Sequence, residues 1–148
     1  MTTTTAQRTA TTSAAAPLTR HLPTAGRVVL GLLFVVMGLN GFLNFLPQPE
    51  GAAMPAEALA FSMALAQTGY MMQMTMGVQV LCGILLLANR FVPLALVLLA
   101  PVVVNIVAFH LFLEQGGLPI AVAVAAIELG LAWTHRAAFR SVLRATSA

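Results

Sequence analysis

Four long apolar runs leave this chain few folds to choose from. Residues 28–46, 70–88, 91–113 and 118–134 contain no Lys or Arg and a single carboxylate, Glu128. Each comes near the roughly 20 residues that cross about 30 Å of hydrocarbon at about 1.5 Å per residue. A water-soluble domain needs a charged exterior, and a chain that is 59% hydrophobic and only 7% charged has too few charges to build one. The reading is an all-α membrane protein, with residues 27–134 forming a bundle of four transmembrane helices in contact with the lipid bilayer.

The segments between the runs set the organisation. Residues 1–26, rich in Thr, Ala and Ser with Pro17 and Pro23, read as a disordered tail. A cleaved signal peptide fits poorly, because the first run is longer than a signal core and carries Asn40 and Asn44. Pro55 opens a short stretch, 55–67, expected to be an interfacial helix. Asn89 and Arg90 leave room only for a tight turn, and residues 114–117 make another. Residues 135–148 form a basic tail, in which Arg136, Arg140 and Arg144 recur beside Phe139 and Leu143 at the spacing of an amphipathic surface helix.

Orientation follows from the arginines. Arg8, Arg20 and Arg27 precede the first run, Arg90 separates the second from the third, and Arg136, Arg140 and Arg144 follow the fourth. With four crossings all seven fall on one side, while Glu50, Glu57 and Glu114 fall on the other. The positive-inside rule then makes both termini cytoplasmic. The same scatter argues against a nucleic-acid partner, which would require basic residues gathered on one face. Cys82 stands alone, so there is neither an intrachain disulfide nor a zinc-type spacing.

Polar residues inside the runs are the candidate site. Counted from the outer helix ends, Asn40 lies about 9 Å deep, Gln79 and Asn105 about 12 Å and Glu128 about 15 Å. His110 lies nearer the outer surface with Asn44, Tyr70 and Gln73. Asn40 and Asn44 are four residues apart and are expected to share a helix face. Taken singly, these amides are most simply interhelical glue, at roughly 0.6 to 2 kcal/mol each. Glu128 weighs evenly between structure and function, because an ionisable group near the midplane is costly. It is expected to be met by amides at its own depth, Asn105 and Gln79. His110 is most simply a hydrogen-bonded interface residue, and as the one histidine inside a run it excludes a bis-histidine haem within the chain. Met71, Met72, Met74 and Met76 read as adaptable packing rather than a metal site. Gly31, Gly38, Gly77 and Gly83 are expected to permit close helix approach. No nucleophile triad, phosphate loop or metal-ligand pair is present, so no catalytic residue, metal or resident cofactor is expected.

The segments RVVLGLLFVVMGLNGFLNFLPQP (27–49), GVQVLCGILLLANRFVPLALVLLAPVVVNIVAFHLFL (77–113) and AIELGLAWTHRAAFR (126–140) together resemble the DoxX family of small bacterial four-helix membrane proteins. Asn40, Arg90, Asn105, His110 and Glu128 match its recurring polar positions. Relatives of this type commonly carry a glutamate in a GVEV stretch where this chain has Gln79, so no acid stands there. The resemblance implies a bacterial cytoplasmic (inner) membrane and an association, as in some relatives, with quinone-linked sulfur oxidation or redox stress complexes. Two readings follow. In the first, the chain is a non-catalytic accessory subunit that offers an intramembrane polar pocket to a quinone or small organic ligand, or docks a redox partner. In the second, it is a small proton-coupled transporter or channel using Glu128. Four helices leave little room for a pathway, so that reading calls for a homo-oligomer.

Overall fold

The computed structural model describes residues 18–47 and 54–142, with side chains described between 21 and 139. Six helices follow one another: α1 (Leu18–Leu43), α2 (Ala56–Gln67), α3 (Met71–Leu87), α4 (Val92–Phe112), α5 (Leu118–Thr134) and α6 (Arg136–Val142), with a 3-10 turn, Gln115–Gly117, before α5. No strand occurs among the described residues. The long helices close a ring, α1 against α3, α3 against α4, α4 against α5, and α5 back against α1. The fold is all-helical. His21–Leu43, Val92–Phe112 and Gln115–Thr134 are long and apolar enough to cross a membrane, and α2 with α3 makes a fourth candidate bent by 91° at the break. Thr68 and Gly69 make that break, and Gly69 takes a positive φ that a residue with a Cβ rarely adopts.

Leu30 and Phe34 of α1, Cys82 and Leu86 of α3, Leu99 of α4 and Leu131 of α5 meet inside the ring. Outside, large apolar side chains are left bare, among them Val104 at 68%, Leu129 at 70% and Trp133 at 70% exposure. Helices that are apolar all round are stable only when hydrocarbon replaces water on that surface, so the outer wall is the lipid contact.

The α1–α3 seam is drawn close by glycines. A Cβ built on Gly83 would lie 2.8 Å from the Gly31 carbonyl oxygen, and one on Gly38 would lie 2.9 Å from the Met76 carbonyl oxygen. Gly77 does not belong to this set. A Cβ there would meet nothing within 4 Å, because the residue faces away from every packed neighbour.

The α3–α4 turn solves the problem of a helix end inside a membrane protein, where the last carbonyls have no intrahelical donor. Asn89 adopts the left-handed conformation, and the Arg90 and Asn89 amides donate to the Leu85 and Leu86 carbonyls at 3.0 and 3.1 Å. Arg27, reaching across from α1, donates through Nη1 to the Leu86 carbonyl and, at 3.3 Å, to that of Leu87. Its charge also suits a helix C-terminus. Arg27→Ala should therefore lower thermal stability in detergent by on the order of 1 to 2 kcal/mol, with Arg27→Lys recovering part of the loss. Equal melting of all three proteins would contradict this role.

Two sequence boundaries shift. The expected tail through residue 26 is too long, because α1 already begins at Leu18. Its first turns are held beside the end of α5, where Leu22, Ala25 and Gly26 share a hollow with Ile127, Gly130 and Thr134. Pro23 falls in the second turn, early enough that few helical hydrogen bonds are lost. The first apolar run extends to residue 46, but α1 stops at Leu43 and Asn44 turns left-handed. The rest of the N-terminal tail, the loop at 48–53 and the tail at 143–148 lie outside the described residues.

Candidate functional site

Glu128 occupies the middle of α5, is 6% exposed, and its Oε1 has no hydrogen-bond partner among the described residues. It lines a groove of about 390 Å³ between α4 and α5. Val97, Val104 and Val107 of α4 form one wall, Ala125 and Leu129 of α5 the other, and Phe139 of α6 joins them. Among the described residues no other carboxylate, amide, hydroxyl or basic side chain lines it. The exposed rim residues Val104 and Leu129 turn the groove toward lipid. Pro101 contributes a second polar feature: it has no N–H to offer the Val97 carbonyl four residues back, and Val97 is in the wall.

The amides expected at the level of Glu128 are elsewhere. Asn105 is exposed and lines a separate hollow with Phe61, Thr68, Met71 and Thr75, where α2 meets α3 and α4. Gln79 lies with His110 in a third cavity, among apolar residues of α1, α4 and α5. Asn40 serves its own helix end, where Oδ1 accepts the Leu46 amide at 2.7 Å. Asn44 has left the helix and is exposed, so the expected Asn40–Asn44 stripe does not form. The five candidate residues thus divide among four places, and only Gln79 and His110 share one. Depth along a helix is common to them; direction around it is not.

His110 brings in a partner that the linear reading passed over. Its Nδ1 meets Glu114 Oε2 at 2.7 Å and the Glu114 carbonyl oxygen at 2.9 Å. The two residues are four apart, a spacing that could have paired them. Glu114 also accepts the Gly116 and Gly117 amides at 2.8 and 3.1 Å, capping the 3-10 turn that leads into α5. The imidazole lies against Gly117, where an added Cβ would come within 2.2 Å of Cε1. Desolvation works to raise the Glu114 pKa, but hydrogen bonds from Gly117, His110 and Gly116, with the charge of His110, outweigh it and hold the carboxyl below the usual carboxylate range. A depressed value gives stabilisation that is complete above the unfolded pKa and lost as pH falls through the folded one. Nuclear magnetic resonance of the Gly116 and Gly117 amides should therefore show a shared acid titration with a midpoint below that of a free glutamate; a midpoint at or above it would refute the clasp.

Phe139 also departs from expectation. Expected on the membrane surface beside Arg136 and Arg140, it instead packs against the core and into the Glu128 groove. Arg136 stays outside, stacked 5.3 Å from the Trp133 ring centroid and donating to the Trp133 carbonyl at 3.1 Å. Among the described residues no group of His, Cys, Asp or Glu is arranged to hold a metal ion.

No curated protein and no solved structure gives a significant match to the chain. The family model for DoxX matches residues 22–111. That stretch takes in nearly all of α1 to α4 and stops before Glu114 and Glu128, so the likeness seen in 126–140 lies beyond it. With more than half of its length matched and its apolar helices arranged in a ring, the chain is an integral membrane protein of the DoxX family.

Proposed function

We propose that the protein is a non-catalytic accessory subunit of a bacterial cytoplasmic membrane, and that the α4–α5 groove takes a small apolar organic ligand, with a quinone headgroup the leading candidate. The observation that carries this is the Glu128 carboxyl, buried with Oε1 unpartnered in a groove open toward lipid whose other described side chains are apolar. A buried carboxyl without a partner costs about 1 to 3 kcal/mol. A ligand carbonyl accepting the carboxyl proton would recover that cost and could enter sideways from the bilayer. The redox chemistry itself would belong to a partner protein. The test is purification in mild detergent with mass analysis of what accompanies the protein. A quinone or a redox subunit retained by wild type and lost from Glu128→Leu supports the reading; an empty protein that moves protons as a homodimer in liposomes supports the transporter instead.

The orientation belongs to the same proposal: four crossings, with α3 spanning, α2 lying across one end of the bundle and both termini cytoplasmic, argued from the one-sided arginines. In a Cys82→Ala background, single cysteines at Gln48 or Gln115 should react with an impermeant thiol reagent added to intact cells. Those at Asn89 or Thr146 should not. External labelling at position 89 would overturn the topology.

A further inference from the structure

We propose a second ligand site, independent of the Glu128 groove, in the cavity shared by His110 and Gln79, built for a small neutral ring compound bearing one weakly acidic hydroxyl, the phenol class.

The argument starts from the imidazole. Both oxygens facing Nδ1, the Glu114 carbonyl at 2.9 Å and the Glu114 carboxylate Oε2 at 2.7 Å, are hydrogen-bond acceptors. Whenever the ring is neutral its hydrogen must therefore sit on Nδ1, which leaves Nε2 as a bare acceptor in that form. No described residue bonds to that nitrogen. The ring is seated in the space that the missing Cβ of Gly117 leaves, where a built Cβ would meet Cε1 at 2.2 Å and Nδ1 at 2.5 Å. The two contacts to Glu114 thus set the tautomer of the neutral ring and hold it at the cavity.

The cavity that His110 lines has a volume of about 340 Å³, within the lower range of small-molecule sites. All four long helices contribute to it: Phe34 and Met37 from α1, Gln79 from α3, Ile106 from α4 with His110, and Ile120 from α5. Apart from the imidazole, Gln79 is the only polar side chain that lines it among the described residues. A hydroxyl needs an acceptor for its hydrogen and a donor for its oxygen; Nε2 offers the first and the Gln79 amide the second. Glu114, the one charged group facing His110 among the described residues, is negative, which disfavours an anionic ligand. Phe34 and the Met37 thioether suit the face and edge of an aromatic ring.

The test uses protein labelled with nitrogen-15 histidine in lipid nanodiscs, with para-fluorophenol as probe and para-fluoroanisole, which lacks the hydroxyl hydrogen, as its counterpart. The His110 signal is identified by its loss in His110→Ala. Wild type should show the Nδ1-protonated tautomer, a saturable shift of Nε2 on adding the phenol, and binding about tenfold tighter than for the anisole, the factor that one hydrogen bond is worth. Gln79→Leu should lose the saturable component and leave only the partitioning seen in empty nanodiscs, while Val122→Ala on the exposed face of α5 should keep it. An Nε2 signal that does not move in wild type, or equal affinity for the two probes, would overturn the proposal whether or not the variants fold.

Discussion

Glu128→Leu should give a protein that is more stable than wild type, by on the order of 1 to 3 kcal/mol, and that no longer retains a ligand. The leucine exchanges a carboxyl with an unpartnered oxygen for apolar surface in a groove whose other described side chains are all apolar. Were amides from α3 and α4 bonded to this carboxyl, the same change would strand them and lower stability, so the sign of the effect distinguishes the two arrangements. Glu128→Gln is the companion. It keeps a hydrogen-bond donor in place and should fold normally, retaining a ligand that needs only a donor and abolishing any function that needs the carboxylate to ionise. Thermal unfolding in detergent and mass analysis of the bound fraction read both outcomes on the same samples. A Glu128→Leu protein less stable than wild type would contradict the groove as described.

A comparable loss in the opposite direction is expected at Gly83. A Cβ there would lie 2.8 Å from the Gly31 carbonyl oxygen and 2.9 Å from the Val35 nitrogen, and backbone atoms cannot turn aside as a side chain can. Overpacking ordinarily costs about 1 to 3 kcal/mol, and here the whole α1–α3 seam would have to part. Gly83→Val should therefore lose at least that much or fail to assemble. Gly77→Ala, six residues away on the same helix, should be neutral or gain up to about 1 kcal/mol, because nothing lies within 4 Å and alanine is the better helix former. Similar melting of the Gly83→Val protein and wild type would show that the seam is looser than this.

The contrast between these two glycines shows where the sequence was legible. The helices were readable because an uninterrupted apolar run of spanning length has few alternatives, and their rough ends because Pro, Gly and Asn punctuate them. The left-handed turn at Asn89 left a trace in the residue type, though its cap from Arg27 did not, since a contact between α1 and α3 leaves no local mark. The site was harder for one geometrical reason. Counting residues gives depth in the membrane, and by depth Glu128, Asn105 and Gln79 belong together. Their directions around the helix axes depend on how α3, α4 and α5 rotate to pack, which is set by the buried set Cys82, Leu99 and Leu131 and by the glycine seam. The result sends Asn105 toward α2 and Glu128 to the α4–α5 groove. The His110–Glu114 pair, by contrast, is local, four residues apart at one helix end, and that spacing is written in the sequence.

The most direct test of the central claim is photolabelling in native membranes with a quinone analogue that carries a photoreactive group on its ring, followed by peptide mapping. The account predicts crosslinks on α4 around Val97 and Val104 and on α5 around Leu129, reduced by excess unlabelled quinone and lost in Glu128→Leu. Labelling spread over the lipid-facing surface, or undiminished in Glu128→Leu, would contradict it.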